Sequence, residues 1–271
     1  MLRKACMTPV LLWLAAIIII VYGALCALLY FQQERLIFFP TPLPARYQPT
    51  FALPFTEINL PVQGATINAV YFRAAQPKGV VLYLHGNGDI IPRLGSVADF
   101  FIGAGYDLLI PDYRGYGKST GRIINEADLL ADMDVVYRDL LARTPEGQIV
   151  IYGQSLGSGL ATYLAAHHHP RAVILESPYV SVQAMAQWQL PWVPGWLVKY
   201  PLRSDRYVAA ITCPLYIIHG TRDRVIPYAQ GQKLYALIPG PKEFFTVPAG
   251  GHGSLLGDAR VRNFVTKVLE H

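Results

Sequence analysis

A serine hydroxyl is a weak nucleophile. It attacks an acyl carbon only when a base takes its proton and an acid orients that base. The stretch Ile149 to His167, IVIYGQSLGSGLATYLAAH, carries a serine in a setting suited to this work. Ile149 to Tyr152 is a short apolar run of strand type. Leu156 to His167 is rich in small residues and leucine, as a packed helix is. Between them lies Gly153-Gln154-Ser155-Leu156-Gly157. A strand that turns sharply into a helix strains its turn residue and brings neighbouring backbone very close, so flanking glycines remove the side chains that would clash. Ser155 is then exposed at the strand's carboxyl end, and the Leu156 N–H at the helix start can stabilise an oxyanion.

A serine presented this way takes its partners in the chain order Ser, acid, His. Between Ser155 and the histidines near the end stand four carboxylates: Glu176, Asp205, Asp223 and Glu243. Asp223 lies in YIIHGTRDRVIP, in the turn after an apolar strand, and is the preferred acid. Glu176 also ends a strand and is the alternative; its other reading is a structural carboxylate beneath the site. Asp205 falls in an irregular insertion and Glu243 begins a strand. His252 lies in VPAGGHGSLL, a loop whose glycines let it bend back over the sheet, and is the expected base. His219 ends a strand and reads as a satisfied core histidine. A second oxyanion donor is expected from LHGNGD, where Asn87 is the first residue free to aim its N–H at the site and Gly88 is the alternative.

These residues need a scaffold of alternating strands and helices. Strand-like runs lie near 56–61, 66–73, 79–84, 106–111, 148–152, 172–176, 213–219 and 243–247. Helix-like runs lie near 92–104, 125–143, 156–168, 228–237 and 259–270. The first two strands predict an antiparallel hairpin. The others alternate with helices and are nearly continuously apolar, as strands covered on both faces are. The expected fold is α/β, with a mostly parallel sheet of about eight strands and helices on both faces. Residues 177–210, rich in Trp, Tyr and Pro, break the alternation and suggest a short cap.

Of the 271 residues 52% are hydrophobic and only 15% charged, against about 25% charged in an ordinary soluble domain. Part of the chain is therefore expected to meet lipid. Residues 9–31, PVLLWLAAIIIIVYGALCALLYF, contain no charge and are long enough to span a hydrocarbon core of about 30 Å. A cleaved signal peptide is the competing reading, but its apolar region runs to only about 7–15 residues. The reading is a flank over 1–8, a transmembrane anchor over 9–31, a proline-rich tether over 32–54 and a catalytic domain over 55–271. Arg3 and Lys4 before the anchor, against Arg35 after it, favour an extracytoplasmic domain. The net charge of +5 comes without a dense basic run, so no nucleic-acid partner is expected. The three cysteines, Cys6, Cys26 and Cys213, show no zinc-type spacing and leave the domain no internal disulfide.

LYLHGNGD, PDYRGYGKSTG, GQSLGSGLA, ESPY, HGTRDRVIP and GGHG occur in the order seen in α/β-hydrolases. The chain resembles that family over roughly residues 56–270, and within it the membrane-anchored group with an N-terminal hydrophobic helix. The resemblance implies Ser155 as nucleophile, Asp223 as acid and His252 as base. Where the family often has a further Gly or Asn pattern after HGN, this chain has Gly88-Asp89.

The expectation is a serine hydrolase of ester or thioester bonds acting on a small acyl ester or lipid-like substrate, without cofactor or metal. A peptidase with the same triad and a non-catalytic binding protein on this fold are the alternatives. In PDYRGYGKS, Asp112 and Arg114 read as structural, through a buried ion pair. Trp188, Trp192 and Trp196 read either as cap packing or as a membrane-facing or acyl-binding lip. His167, His168 and His169 read as a solvated helix end, and Cys6 as a weak lipidation candidate.

Overall fold

The computed structural model describes residues 4–253 and 255–270, with side chains of helical residues from Pro9 onward. Arg3 and the side chains of Lys4 and Cys6 lie outside the described residues. Eight strands form one sheet: β1 (Phe55–Val62), β2 (Ala65–Phe72), β3 (Val80–Leu84), β4 (Asp107–Pro111), β5 (Ile149–Gln154), β6 (Ala172–Glu176), β7 (Leu215–Gly220) and β8 (Lys242–Val247). Their spatial order is β1-β2-β4-β3-β5-β6-β7-β8. β1 and β2 form the antiparallel hairpin and β2 also runs antiparallel to β4; every other pair is parallel.

Side chains alternate across a strand, and the two faces bury separate cores. Val80, Leu82, Ile149 and Ile151 enter one core, with α3 (Glu126–Leu141), α4 (Leu156–His167) and α7 (Tyr228–Leu237) over it. Val81, Tyr83, Val150 and Tyr152 enter the other, beneath α2 (Gly95–Gly103) and α8 (Ala259–Glu270). The chain runs from β3 outward to β4, then crosses back to place β5 on the other side of β3. Such a switch point opens a crevice at the strands' carboxyl ends.

Residues between β6 and β7 form the cap: α5 (Val182–Gln189), α6 (Ser204–Tyr207) and short one-turn segments. The Ser181 hydroxyl caps α5 by accepting from Ala184 N–H at 2.9 Å. α5 stops two residues before Pro191, which disfavours helix in the residue it follows.

The N-terminal helix α1 (Lys4–Ile37) holds an 18-residue window of mean hydropathy 2.7. It continues past residue 31, where a tether was expected to start. The added turns are held by the cap: Lys199 N–H donates to Gln33 Oε1 at 2.8 Å, Gln33 Nε2 to Leu197 O at 3.1 Å, and Tyr200 O–H to Glu34 Oε1 at 2.9 Å. The proline-rich stretch after Ile37 lies along the domain. Phe38 is buried, and Leu43 N–H donates to Gly117 O at 2.6 Å.

Candidate active site

Ser155 sits between β5 and α4 at φ 50° and ψ −115°, a region non-glycine residues rarely occupy. Such strain persists only when surrounding contacts over-determine it. Here Ser155 N–H donates to Glu176 O at 2.9 Å, and Ser155 O accepts from Ser158 N–H at 2.9 Å and from the Ser158 hydroxyl at 2.6 Å. Both glycines are required by close approach. A Cβ on Gly153 would lie 2.6 Å from Ala161 Cβ, and one on Gly157 would run into the Leu84 carbonyl of β3.

Ser155 Oγ lies 2.9 Å from His252 Nε2, and His252 Nδ1 lies 2.8 Å from Asp223 Oδ2. A carboxylate on the Nδ1 side fixes the tautomer: Nδ1 carries the proton and Nε2 offers its lone pair to the serine hydroxyl. Asp223 follows β7, and its Oδ1 accepts from Val225 N–H at 2.9 Å and Ile226 N–H at 2.8 Å. Burial alone would push the Asp223 carboxyl up; hydrogen bonds from His219, His252 and the Ile226 N–H hold it well below the usual carboxylate range. The loop after β8 carries His252 and is tied to the β7 turn by Arg222 N–H to Gly250 O at 2.8 Å and Ala249 N–H to Thr221 Oγ1 at 2.9 Å.

His219 is fully buried. Its Nε2 faces two acceptors, Ile226 O at 3.0 Å and Asp223 Oδ2 at 3.5 Å, so that nitrogen carries the proton; Nδ1 has no partner among the described residues. The core-histidine expectation is thus only half met, since His219 is not fully satisfied and also supports Asp223 from behind. Glu176 accepts from Tyr152 O–H, from Gln154 Nε2 at 3.2 Å and from Leu255 N–H at 2.8 Å, without joining the Ser–His–Asp line. Burial raises its pKa against the pull of those donors. Through Leu255 it anchors the chain just beyond His252. Asp205 pairs with Arg203 inside the cap.

Leu156 opens α4, so its N–H has no acceptor within the helix. Leu156, Asn87, Ser155 and His252 line one cleft of about 580 Å³, with Val182, Met185 and Gln189 of the cap, Ile37 at the end of α1 and Phe39 just after it forming part of its wall. The Asn87 side chain is turned away to other work. Its Oδ1 accepts from Phe39 N–H at 2.9 Å and Tyr116 O–H at 2.7 Å, and its Nδ2 donates to Ile37 O at 2.5 Å. The end of α1 is thereby stitched to the loop after β3. Sequence reasoning on Asn87 concerned only its backbone and missed this side-chain junction.

Asp112 and Arg114 are both buried, but Arg114 pairs with Asp132 of α3, its Nη2 2.8 Å from Asp132 Oδ1, and not with its neighbour in sequence. A carboxylate on the apolar side of α3, in LLADMD, is the signal that could have revealed this. Asp112 instead accepts from Ile91 N–H at 3.0 Å and lies 3.4 Å from His85 Nε2, bracing the loop that carries Asn87. At the end of α4, His168 Nε2 lies 2.6 Å from Asp134 Oδ1 and His167 Nδ1 lies 2.8 Å from Tyr163 O.

A family model described as serine aminopeptidase, S33, matches residues 75–205. Alpha/beta hydrolase domain-containing protein 17B of Xenopus tropicalis is 33% identical over 229 residues, covering 76% of this chain and 73% of that protein. The chain belongs to the α/β-hydrolase family. The human 17B protein is 32% identical over the same extent. An uncharacterized protein of Mycobacterium tuberculosis is 29% identical over 267 residues, covering 93% of this chain and 94% of its own length. A match of that extent necessarily includes part of α1. Among solved structures, an esterase of Pyrococcus furiosus superimposes with TM-score 0.69 at 18% identity, covering 86% of this chain and 97% of that one. An acylaminoacyl peptidase of Pyrococcus horikoshii does so with TM-score 0.64 at 14% identity, covering 80% of this chain and 41% of its own. At such identities the structural likeness establishes the fold. Membership of this family supports a hydrolase.

Proposed function

We propose that this chain is a membrane-anchored serine hydrolase that cleaves carboxylic esters or thioesters of apolar acyl groups. The observation that carries the reading is the unbroken line Ser155 Oγ to His252 Nε2 to Asp223, at 2.9 and 2.8 Å, beside the free N–H at the head of α4. Ser155 Oγ attacks the acyl carbon as His252 Nε2 takes its proton. Asp223 holds the imidazole and stabilises the imidazolium. The Leu156 and Asn87 N–H groups receive the oxyanion. His252 then protonates the leaving alcohol or thiol, leaving an acyl-Ser155. Water, activated by His252, releases the acid and restores the serine. The residues alone supply nucleophile, base and oxyanion donors.

Membrane attachment rests on α1. A helix apolar on every side is suited to lipid, and its bonds through Gln33 and Glu34 to the cap favour a retained segment over a cleaved leader. The charge bias of Arg3 and Lys4 against Arg35 favours the extracytoplasmic side for the domain. Proteolysis of sealed vesicles of known orientation tests that placement.

A peptidase reading draws on the S33 family model. The described lining of the cleft carries one carboxylate outside the triad, Asp89, and one guanidinium, Arg93, and so offers a peptide terminus no net charge. Turnover of acyl esters against amino-acid amides separates the two readings. The expected outcome is ester hydrolysis that Ser155→Ala abolishes; amide hydrolysis dependent on Ser155 would favour the peptidase.

A further inference from the structure

A second apolar groove, about 240 Å³, lies between the C-terminal turns of α1, from Leu29 to Ile37, and the cap. It shares Ile37, Val182, Met185 and Gln189 with the cleft that holds Ser155. The two spaces are therefore adjoining parts of one depression. From the shared residues the groove runs outward between Leu29 of α1 and Ala186 and Leu190 of the cap.

The cap follows α1 a long way. Its inner contact is Glu34 with Tyr200 and Lys199; its outer contact is the Tyr22 hydroxyl donating to Trp192 O at 3.0 Å, with the two rings edge-on at 6.3 Å. Glu34 and Tyr22 are twelve residues apart in sequence, about 18 Å of helix. Tyr22 also lies nine residues inside the uncharged stretch that ends at Phe31, about 13 Å of rise. The residues from Pro9 to Val21, which lie beyond that contact, rise only about 20 Å. A hydrocarbon core is about 30 Å thick. The helix therefore spans a bilayer only if the Trp192 end of the cap enters the leaflet with it. The exposed Trp188, Trp192 and Trp196 suit that position.

We infer that the groove between α1 and the cap is the acyl-chain site of the enzyme, and that it opens within the leaflet. A long acyl chain passes there laterally from the bilayer while its carbonyl reaches Ser155. The membrane anchor is thus one wall of the specificity pocket. This inference rests on the serine-hydrolase reading above. Each methylene buried contributes about fourfold in binding, so occupancy of the groove sets chain-length preference. The continuity of the groove with the reacting centre argues for the substrate's own chain as occupant rather than a bystander lipid.

The test uses the full chain in nanodiscs, with butyryl and palmitoyl esters of one alcohol. Ala186→Trp fills the groove from the cap side and Leu29→Trp from the α1 side. Each is expected to lower the palmitoyl-to-butyryl ratio of kcat/KM at least tenfold, while fluorophosphonate labelling of Ser155 reports an intact site. An unchanged ratio in both variants overturns the inference, as does an effect from Ala186→Trp alone, which would remove α1 from the pocket. In a variant carrying Trp13→Phe, Trp188→Phe and Trp196→Phe, which leaves Trp192 as the only tryptophan, lipids brominated on the acyl chain are expected to quench fluorescence. Absence of quenching overturns entry into the leaflet. Loss of hydrolysis in Ser155→Ala alongside an unaltered ratio in the groove variants would sink the groove and leave the hydrolase standing. Hydrolysis surviving Ser155→Ala would instead sink the underlying reading.

Discussion

The carboxyl edge of the sheet and the cap against α1 are built by different means. At the sheet edge, polar groups converge. Ser155 is held through three hydrogen bonds to its backbone, and Asp223 has both oxygens engaged. Backbone contacts near Gly153 and Gly157 leave no room for a Cβ. The cap meets α1 largely through apolar side chains, with a few polar fastenings at Gln33, Glu34 and Tyr22. Rigid polar geometry suits a reaction whose atoms must stay within tenths of an ångström. Adaptable apolar surface suits a chain of variable length. On the proposed function, chemistry and specificity are carried by separable parts, and mutations should sort accordingly.

Ser155→Ala should produce the largest effect. Loss of a nucleophile typically costs several orders of magnitude in kcat, for every chain length alike. Steady-state kinetics with short and long esters check this; a loss confined to long esters would break the division. Asp223→Asn comes next, with a loss of about 10⁴ in kcat expected from the disturbed His252 tautomer. Glu176→Gln should fall mainly on stability, by about 1–3 kcal/mol, since Glu176 touches Tyr152, Gln154 and Leu255 rather than His252. Parallel denaturation and kinetics on the two variants decide this; a larger kcat loss from Glu176→Gln at unchanged stability would reverse the two roles.

The junction at Asn87 sharpens the comparison, because it links the two regions. Asn87→Ala keeps the backbone N–H but removes three side-chain hydrogen bonds to Ile37, Phe39 and Tyr116. The expected result is a fall of about tenfold in kcat with little change in KM, as the proposed oxyanion donor loses its placement. A rise in KM alone would assign Asn87 to substrate binding. Smaller still is an effect of acid. The Asp223 carboxyl is held low in the folded chain against about 3.9 unfolded. Its ionisation therefore contributes stability that is fully present above about pH 4 and lost as pH falls toward the native value. The stability gap between wild type and Asp223→Asn should narrow below about pH 4 in chemical denaturation. A gap independent of pH would mean that the carboxylate's charge is not what the fold uses.

Much of this architecture was legible from residues alone. All eight strands lie within about two residues of their apolar runs, because strands covered on both faces leave a strong local pattern. The meeting of Ser155, Asp223 and His252 follows from glycine-constrained turns at one edge of the sheet. Other features leave no such trace. Asn87 and Ile37 are 50 residues apart, and Lys199 and Gln33 are 166 apart. Neither contact has a period or spacing of its own. Gln32 to Ile37 are helical where Gln33 and Glu34 bond to the cap, contacts that composition does not encode, so composition alone pointed to a tether. Arg114 finds Asp132 rather than Asp112 because α3 packs over the loop, a tertiary fact that a nine-residue motif does not encode.

The central claim is that one nucleophile, Ser155, activated through His252 by Asp223, performs the hydrolysis. Intact-mass and peptide analysis after fluorophosphonate treatment of the full chain tests it most directly. The expected result is a single adduct on the peptide containing Ser155, absent in Ser155→Ala and formed far more slowly in Asp223→Asn. An adduct on any other residue, or one that forms at an undiminished rate in Asp223→Asn, would contradict it.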